Sequence, residues 1–447
     1  MASAQAGRTA PDDEVRALAE RAAAHAERGE MAVALATYQQ LLALAPNHTS
    51  ALNFVAVAAL QGGDVRQAIA MLQLAVTADA ADAGLHKNLG LAYRAAGSAE
   101  EALRCFREAS RLKPDFVVAL LNEGALLVEL RHGDEALAAY MRAFNAADRS
   151  GLFLHAAAMP AGVQVLVEKA MSVLTAARET ALRAALAPVA AQYGEAALAR
   201  VWQCLNAYLH RRPPIATAPM QRPTMMGFPI PGRAWFERRD FPWLADIEAR
   251  TGEIRDELVE VLKSDVGFRP FVEMPVDHPG AVYWQGVNHS PSWNAFFFYR
   301  DGQPNEDNRR RCPRTAEALD TLPLIRIGEH SPESLYSVLT PGAHIPPHTG
   351  VINCRLVVHL PLIVPPACGI RVGTETRGWE EGKCIVFDDT FEHEAWNRSD
   401  RTRVVLIFDI WNPSLTEAER AGMRRAVEAL GDFNRQHGGK QGWEPED

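Results

Sequence analysis

The sequence predicts a two-part chain: an all-α helical solenoid in the N-terminal part, followed by a mainly β sandwich of jelly-roll type. Three observations predict it. Residues recur at a 34-residue step in the N-terminal third, a proline cluster interrupts the chain after Arg212, and short β-prone runs dominate beyond it. With 447 residues the chain exceeds one typical domain. Its 48% hydrophobic and 23% charged residues are ordinary for a globular protein with a real core.

The repeat comes first. Gly29, Gly63 and Gly97 keep a 34-residue step, as do Ala34, Ala68, Ala102 and Ala136, and the bulky Tyr38, Leu72, Phe106 and Tyr140. Pro46 and Pro114 stand two steps apart, Gly90 and Gly124 one step, and the fourth glycine slips to Gly133. Each unit reads as two amphipathic helices: small residues allow close approach, the bulky residue fills the gap, and proline ends the second helix. One pair cannot bury its apolar face alone, so the units must stack. Period and pattern resemble the tetratricopeptide repeat and place such repeats over residues 1–150. A stack of this kind presents a groove for a protein or peptide partner, or else dimerises or caps its neighbour. The sequence leaves both readings standing.

Residues 151–212 stay rich in Ala and Leu without the markers, predicting further helices that cap or extend the solenoid. The prolines between Arg212 and Pro231 predict an extended linker over 213–230, and the β domain then covers 231–447. A helix is expected over Trp243 to Lys263. Strands are expected at Ser292–Tyr299, Leu335–Leu339, Arg355–Ile363, Cys384–Phe387 and Arg403–Trp411, each bounded by Gly, Pro or Asp. Alternation along Arg355–Leu360 puts Arg355, Val357 and His359 on one face and Leu356, Val358 and Leu360 on the other. The second face suits a core; the first suits either a polar cavity or solvent.

Charge and cysteines narrow the function classes. A net charge of −9 argues against a nucleic-acid partner, and Arg309-Arg310-Arg311 reads as a solvated face. Neither an apolar signal-peptide core nor a run of about 18 apolar residues occurs, so no membrane span is expected. Six scattered cysteines without Cys-x-x-Cys pairs read as reduced thiols and a cytoplasmic location.

The chemistry concentrates between Ser337 and Pro413. His348 and His393 are two imidazoles suited to Fe(II), and Arg403, ten residues past the second, suits an acid. Here the residues carry a resemblance. Trp293-Asn-Ala-Phe-Phe-Phe-Tyr-Arg-Asp-Gly, Tyr336-Ser-Val-Leu-Thr-Pro-Gly-Ala-His-Ile-Pro-Pro-His-Thr-Gly350, Asn353-Cys-Arg-Leu and Trp379-Glu-Glu-Gly-Lys383 occur in order. Phe387-Asp-Asp-Thr-Phe-Glu-His-Glu-Ala-Trp396 and Asp409-Ile-Trp-Asn-Pro413 complete the series. From about Pro229 to Leu415 the chain resembles the aspartyl/asparaginyl β-hydroxylase family of 2-oxoglutarate/Fe(II) oxygenases, a family that also includes proteins with repeats before the oxygenase domain.

The resemblance implies a double-stranded β-helix (a jelly-roll, cupin-like fold) that uses Fe(II), 2-oxoglutarate and O2. It implies His348 and His393 as iron ligands, Ser337 and Arg403 on the distal carboxylate of 2-oxoglutarate, and His359 near its other end. Trp293 and Arg355 become candidate substrate contacts, and Asp388 and Asp389 are expected to orient ligands or shape the turn. The family lacks the third, carboxylate ligand, and here Gly350 stands two residues after His348, where most oxygenases place Asp or Glu. One departure stands out: Val357 occupies a position where the family commonly carries a second arginine. The implied substrate is an Asp or Asn side chain of a protein or peptide recruited by the repeats. Two alternatives remain, a lipid or small-molecule hydroxylase and a repeat scaffold with a degenerate oxygenase domain.

Overall fold

The computed structural model describes residues 10–150, 159–275 and 281–438. Eight helices build the repeat region: α1 (Ala10–Glu27), α2 (Met31–Leu44), α3 (Thr49–Gln61), α4 (Val65–Ala78), α5 (Ala83–Ala95), α6 (Ala99–Leu112), α7 (Val117–Glu129) and α8 (Gly133–Arg149). Gly29, Gly63 and Gly97 make the turns inside the pairs with φ of 76°, 84° and 78°, a left-handed conformation that favours glycine. In the fourth pair that turn is made by Arg131 at φ 63°, while Gly133 simply begins α8. The fourth marker is therefore a conformation kept without its residue.

Small and bulky markers meet as their chemistry requires. A Cβ on Gly90 would lie 2.7 Å from the Phe106 ring, and one on Gly124 would lie 2.5 Å from Tyr140. Both aromatic residues are fully buried. Gly124→Val should therefore overpack this contact and destabilise the repeat unit by about 1–3 kcal/mol. Gly133→Ala, where an added Cβ meets nothing, should not. Chemical denaturation followed by far-UV circular dichroism checks both.

The described chain divides into two compact units, residues 10–174 with 436–438 and residues 175–435. The division falls inside α9 (Ala161–Tyr193), not in the proline-rich stretch. Residues 151–158, where the further helices were expected to begin, lie outside the described residues. From Leu182 onward α9 shares one core with α10 (Ala199–Leu209), Met226, Phe228, Ile230, Cys354 and α15 (Glu417–Gln436). The later part of 151–212 thus shares the core of the β unit.

Residues 213–230, the proline-rich stretch, pack on the β unit. The chain there forms no helix and turns at Met220 (φ 64°), and its polar groups reach neighbours. Phe228 N–H donates to Asn353 Oδ1 at 2.6 Å, and the Asn353 amide returns a bond to Phe228 O at 2.8 Å. Gln221 Nε2 donates to Asp388 Oδ2 at 3.1 Å, and Arg222 N–H to Thr390 O at 2.6 Å. Gln221, Met226, Phe228 and Ile230 are buried.

Beyond it come β1 (Trp235–Phe236), α11 (Leu244–Ala249), α12 (Thr251–Ser264), β2 (Arg269–Pro270), β3 (Trp293–Arg300), β4 (Gln303–Pro304), α13 (Glu306–Arg311) and α14 (Pro313–Asp320). The helix expected over 243–263 is two helices, broken at Arg250, where the Thr251 hydroxyl donates to Glu248 O at 2.6 Å. The arginine triplet lies on α13, with Arg309 paired to Asp320 and Arg310 to Asp307. The remaining strands are β5 (Ser334–Leu339), β6 (His344–His348), β7 (Arg355–Ile363), β8 (Cys368–Val372), β9 (Glu375–Arg377), β10 (Ile385–Phe387), β11 (His393–Asn397) and β12 (Arg403–Trp411).

They form a larger sheet ordered β1-β10-β7-β12-β5-β3-β2, with β4 on β3, and a smaller one ordered β6-β11-β8-β9. Alternation sorts the larger sheet cleanly. Leu356, Val358, Leu360, Tyr336, Leu406 and Phe408 pack with α11, α12 and α14. Trp293, Leu339, Val357, Phe387 and Val405 turn the other way and pack on Ile345, Ile370, Val372 and Ala395 of the smaller sheet. The face bearing Arg355, Val357 and His359 therefore looks into the space between sheets, not into solvent.

Candidate active site

Both histidines come from the smaller sheet. His348 ends β6 and His393 begins β11, and the two residues are paired in register. Their ring centroids stand 4.0 Å apart. His348 Nδ1 lies 2.8 Å from Pro346 O, and His393 Nδ1 lies 3.0 Å from Phe391 O. A carbonyl oxygen only accepts, so each Nδ1 carries the proton and each Nε2 keeps its lone pair. Burial pushes His348 down to about 3, with His393 adding to it, and pushes His393 down to about 4. Both are neutral at pH 7. Two neutral imidazoles with their far nitrogens fixed to backbone carbonyls form a donor pair that suits a borderline divalent metal. Among the described residues no group of three or more His, Cys, Asp or Glu is arranged to hold a metal. β6 is the edge of its sheet, with Pro346 and Pro347 just before the histidine.

The opposite wall comes from the larger sheet. Arg403, at the start of β12, is 1% exposed. Its Nη1 lies 3.4 Å from Ser337 O and 3.5 Å from Ser337 Oγ, and its Nε has no hydrogen-bond partner. No carboxylate pairs with it among the described residues. Burial alone pushes its pKa down, to about 10. A buried guanidinium without a counter-anion is costly, and a bound carboxylate would relieve that cost. Ser337 on β5 is held by Trp293, whose indole N–H donates to its hydroxyl at 3.1 Å. Trp293 stacks on Phe271 at 4.2 Å, and Trp284 stands edge-on to His348 at 5.1 Å. His359 is buried with Nδ1 unpartnered. Burial, then Arg403 and His393, push its pKa well down.

Arg355 is placed differently. Its Nη2 lies 2.5 Å from Asp389 and its Nη1 lies 3.1 Å from Asp409, so both ends of the fork are occupied by protein carboxylates. Burial would lower its pKa, but those two carboxylates outweigh it and hold it raised. Its visible work is to fix Asp389. That carboxylate fills the space beside Gly350 so closely that a Cβ there would overlap it, and Gly350 N–H donates to Asp389 O at 2.7 Å. Asp388 is pushed up to about 7 by burial, while Thr390 and Gln221 donate to it and oppose the rise. It shapes the turn before His393.

The structure thus brings His348, His393, Ser337, His359, Arg403 and Trp293 around one inter-sheet space, with Arg355 tied back behind it. Sequence reading did not single out Trp284, or Trp379 as more than part of a motif. The Arg355–Asp389–Asp409 cluster carried no signal beyond the charges themselves.

Residues 248–413 match the family model described as aspartyl/asparaginyl beta-hydroxylase, and residues 85–116 match a tetratricopeptide repeat model. The human aspartyl/asparaginyl beta-hydroxylase is 38% identical over 140 residues, 31% of this chain and 18% of its own length. The ornithine lipid ester-linked acyl 2-hydroxylase of Rhizobium tropici is 35% identical over 181 residues, 40% of this chain and 60% of its own. The chain therefore spans less than two thirds of the length of each of these relatives. Among solved structures, a MamA RS-1 ArsTM double mutant aligns at 23% identity and a TM-score of 0.28, covering 31% of this chain and 76% of that one.

Proposed function

We propose that the chain, through residues 248–413 that match the aspartyl/asparaginyl beta-hydroxylase model, is a 2-oxoglutarate- and Fe(II)-dependent hydroxylase of a C–H bond. The observation that carries this reading is Arg403: a buried guanidinium with no carboxylate partner among the described residues, across from two neutral histidines that present Nε2. When bound, the iron supplies the oxidative chemistry with O2.

The chain's own residues position and protect. His348 and His393 offer the metal its two protein ligands. Arg403 and Ser337 take the distal carboxylate of 2-oxoglutarate, with Trp293 fixing the serine hydroxyl so that its oxygen stays in place. His359, held neutral, lies toward the keto-acid end. Trp284 and Trp293 form an aromatic wall beside His348 that keeps water from the reacting carbon.

The substrate we favour is an Asp or Asn side chain of a protein or peptide, recruited through the repeat unit. A second reading, an uncharged group such as a lipid acyl chain, is favoured by Val357 and by the engagement of Arg355 with Asp389 and Asp409. Together these leave no arginine free for a substrate carboxylate on that strand. No described helix is long and apolar enough to cross a membrane.

Wild-type protein supplied with Fe(II) and 2-oxoglutarate should release succinate, and His348→Ala should lose it by at least about 100-fold. Succinate quantified by NMR checks this; equal release by both proteins would refute the iron assignment. Mass spectrometry for a gain of one oxygen, on Asp/Asn peptides and on acyl lipids, separates the two substrates.

A further inference from the structure

One indole is buried where the dicarboxylate pocket has donors to spare. Trp379 is 9% exposed, in the core between the sheets. The Arg403 guanidinium lies over its ring, Cζ to centroid 4.8 Å. The His359 ring stacks on it at 6.1 Å and an interplanar angle of 23°. Its Nε1 is buried without a hydrogen-bond partner, as are Arg403 Nε and His359 Nδ1.

Buried polar atoms are normally paired, and a lone one costs free energy. Three of them, on Trp379 and the two side chains that lie against its ring, from the loop before β10, β12 and β7, mark a place built for an acceptor. Trp235 also has an unpartnered indole nitrogen, but the cation over its ring is Arg377, at 4.3 Å, whose side chain is one-third exposed. Trp379 alone of the two touches Arg403 and His359.

We propose that Trp379 is a binding residue for the 2-oxoglutarate dicarboxylate, its face holding Arg403 and its Nε1–H donating to a carboxylate oxygen. This rests on the function proposed above. The division of labour is chemical. A desolvated guanidinium over an indole face is fixed by cation–π attraction, so the fork is preorganised. The indole edge then supplies a neutral donor that adds no second buried charge. With Val357 in place of another arginine, a neutral donor is what the pocket can still offer.

The test is calorimetric titration of the full chain with 2-oxoglutarate, using Mn(II) in place of iron under anaerobic conditions. Trp379→Phe keeps the ring and removes the N–H; it should raise the 2-oxoglutarate Kd about tenfold and leave Mn(II) affinity unchanged. Trp379→Leu also removes the face and should lose more. In wild-type protein with Zn(II), the Trp379 indole N–H resonance, assigned by its loss in Trp379→Tyr, should move downfield when 2-oxoglutarate is added. That readout stands even where the Phe variant folds poorly. An unchanged Kd in folded Trp379→Phe, or an unmoved indole resonance, overturns the inference. Wild-type protein that binds neither Mn(II) nor 2-oxoglutarate would instead overturn the hydroxylase reading.

Discussion

Replacing Arg403 with methionine should raise the stability of the protein and abolish the 2-oxoglutarate binding proposed for it. The two effects have one cause. Arg403 is 1% exposed, its Nε is unpartnered, and among the described residues its hydrogen bonds are long ones to Ser337 beside the Trp379 ring. Burying a charge is expensive, and here no carboxylate of the described chain repays it. Methionine has similar length, fills the same space beside Trp379 and carries no charge, so the folded state should gain about 1–3 kcal/mol. The same change removes the cation for the distal carboxylate, which should cost at least about 100-fold in affinity. Arg403→Lys is the informative companion. It keeps the charge but not the planar fork, and should recover only part of the binding. Denaturant midpoints and calorimetric titration read both quantities. A methionine variant less stable than wild type would mean that the guanidinium is already satisfied by the protein, and the anion-site argument would fall with it.

The second large effect is at Gly350. Adding a carboxylate by Gly350→Asp looks like a gain for the proposed metal site, yet the structure makes it a disruption. The space a Cβ would enter is filled by the Asp389 carboxylate, which is buried and held by Arg355 at 2.5 Å. Displacing Asp389 leaves Arg355 with one carboxylate instead of two. Breaking a buried ion pair costs about 3–5 kcal/mol. Gly350→Asp should therefore lower the unfolding midpoint sharply and bring no tighter metal binding, measured by competition with a chromogenic chelator. A variant with an unchanged midpoint and higher metal affinity would show that Asp389 yields freely.

Much of the β unit was legible because its long strands are near-continuous apolar runs. Arg355–Ile363 and Arg403–Trp411 have the bounds read from sequence. β6, β8 and β9 were not read, because a strand such as His-Ile-Pro-Pro-His lacks the β-branched alternation that marks one. The packing of 213–230 is not legible in the sequence for a different reason. Prolines dictate that a chain is extended, whereas packing depends on partners such as Asn353 and Asp388 more than a hundred residues away. At the site, residue types and spacing pointed to His348, His393 and Arg403. That Arg355 is occupied and Arg403 is not could only come from three dimensions, since both are arginines opening an apolar strand.

The edge position of β6 also limits how a substrate can arrive. A sheet edge ordinarily offers an incoming chain a row of free N–H and C=O groups, and many peptide-binding domains capture their targets by letting them lengthen the sheet. Pro346 and Pro347 carry no N–H, so the strand that ends in His348 is a poor template for such pairing. A peptide reaching the proposed metal site would have to present a side chain end-on, with its backbone held elsewhere. The same two prolines leave the mouth of the site without the sticky border along which copies of a β protein join into fibres.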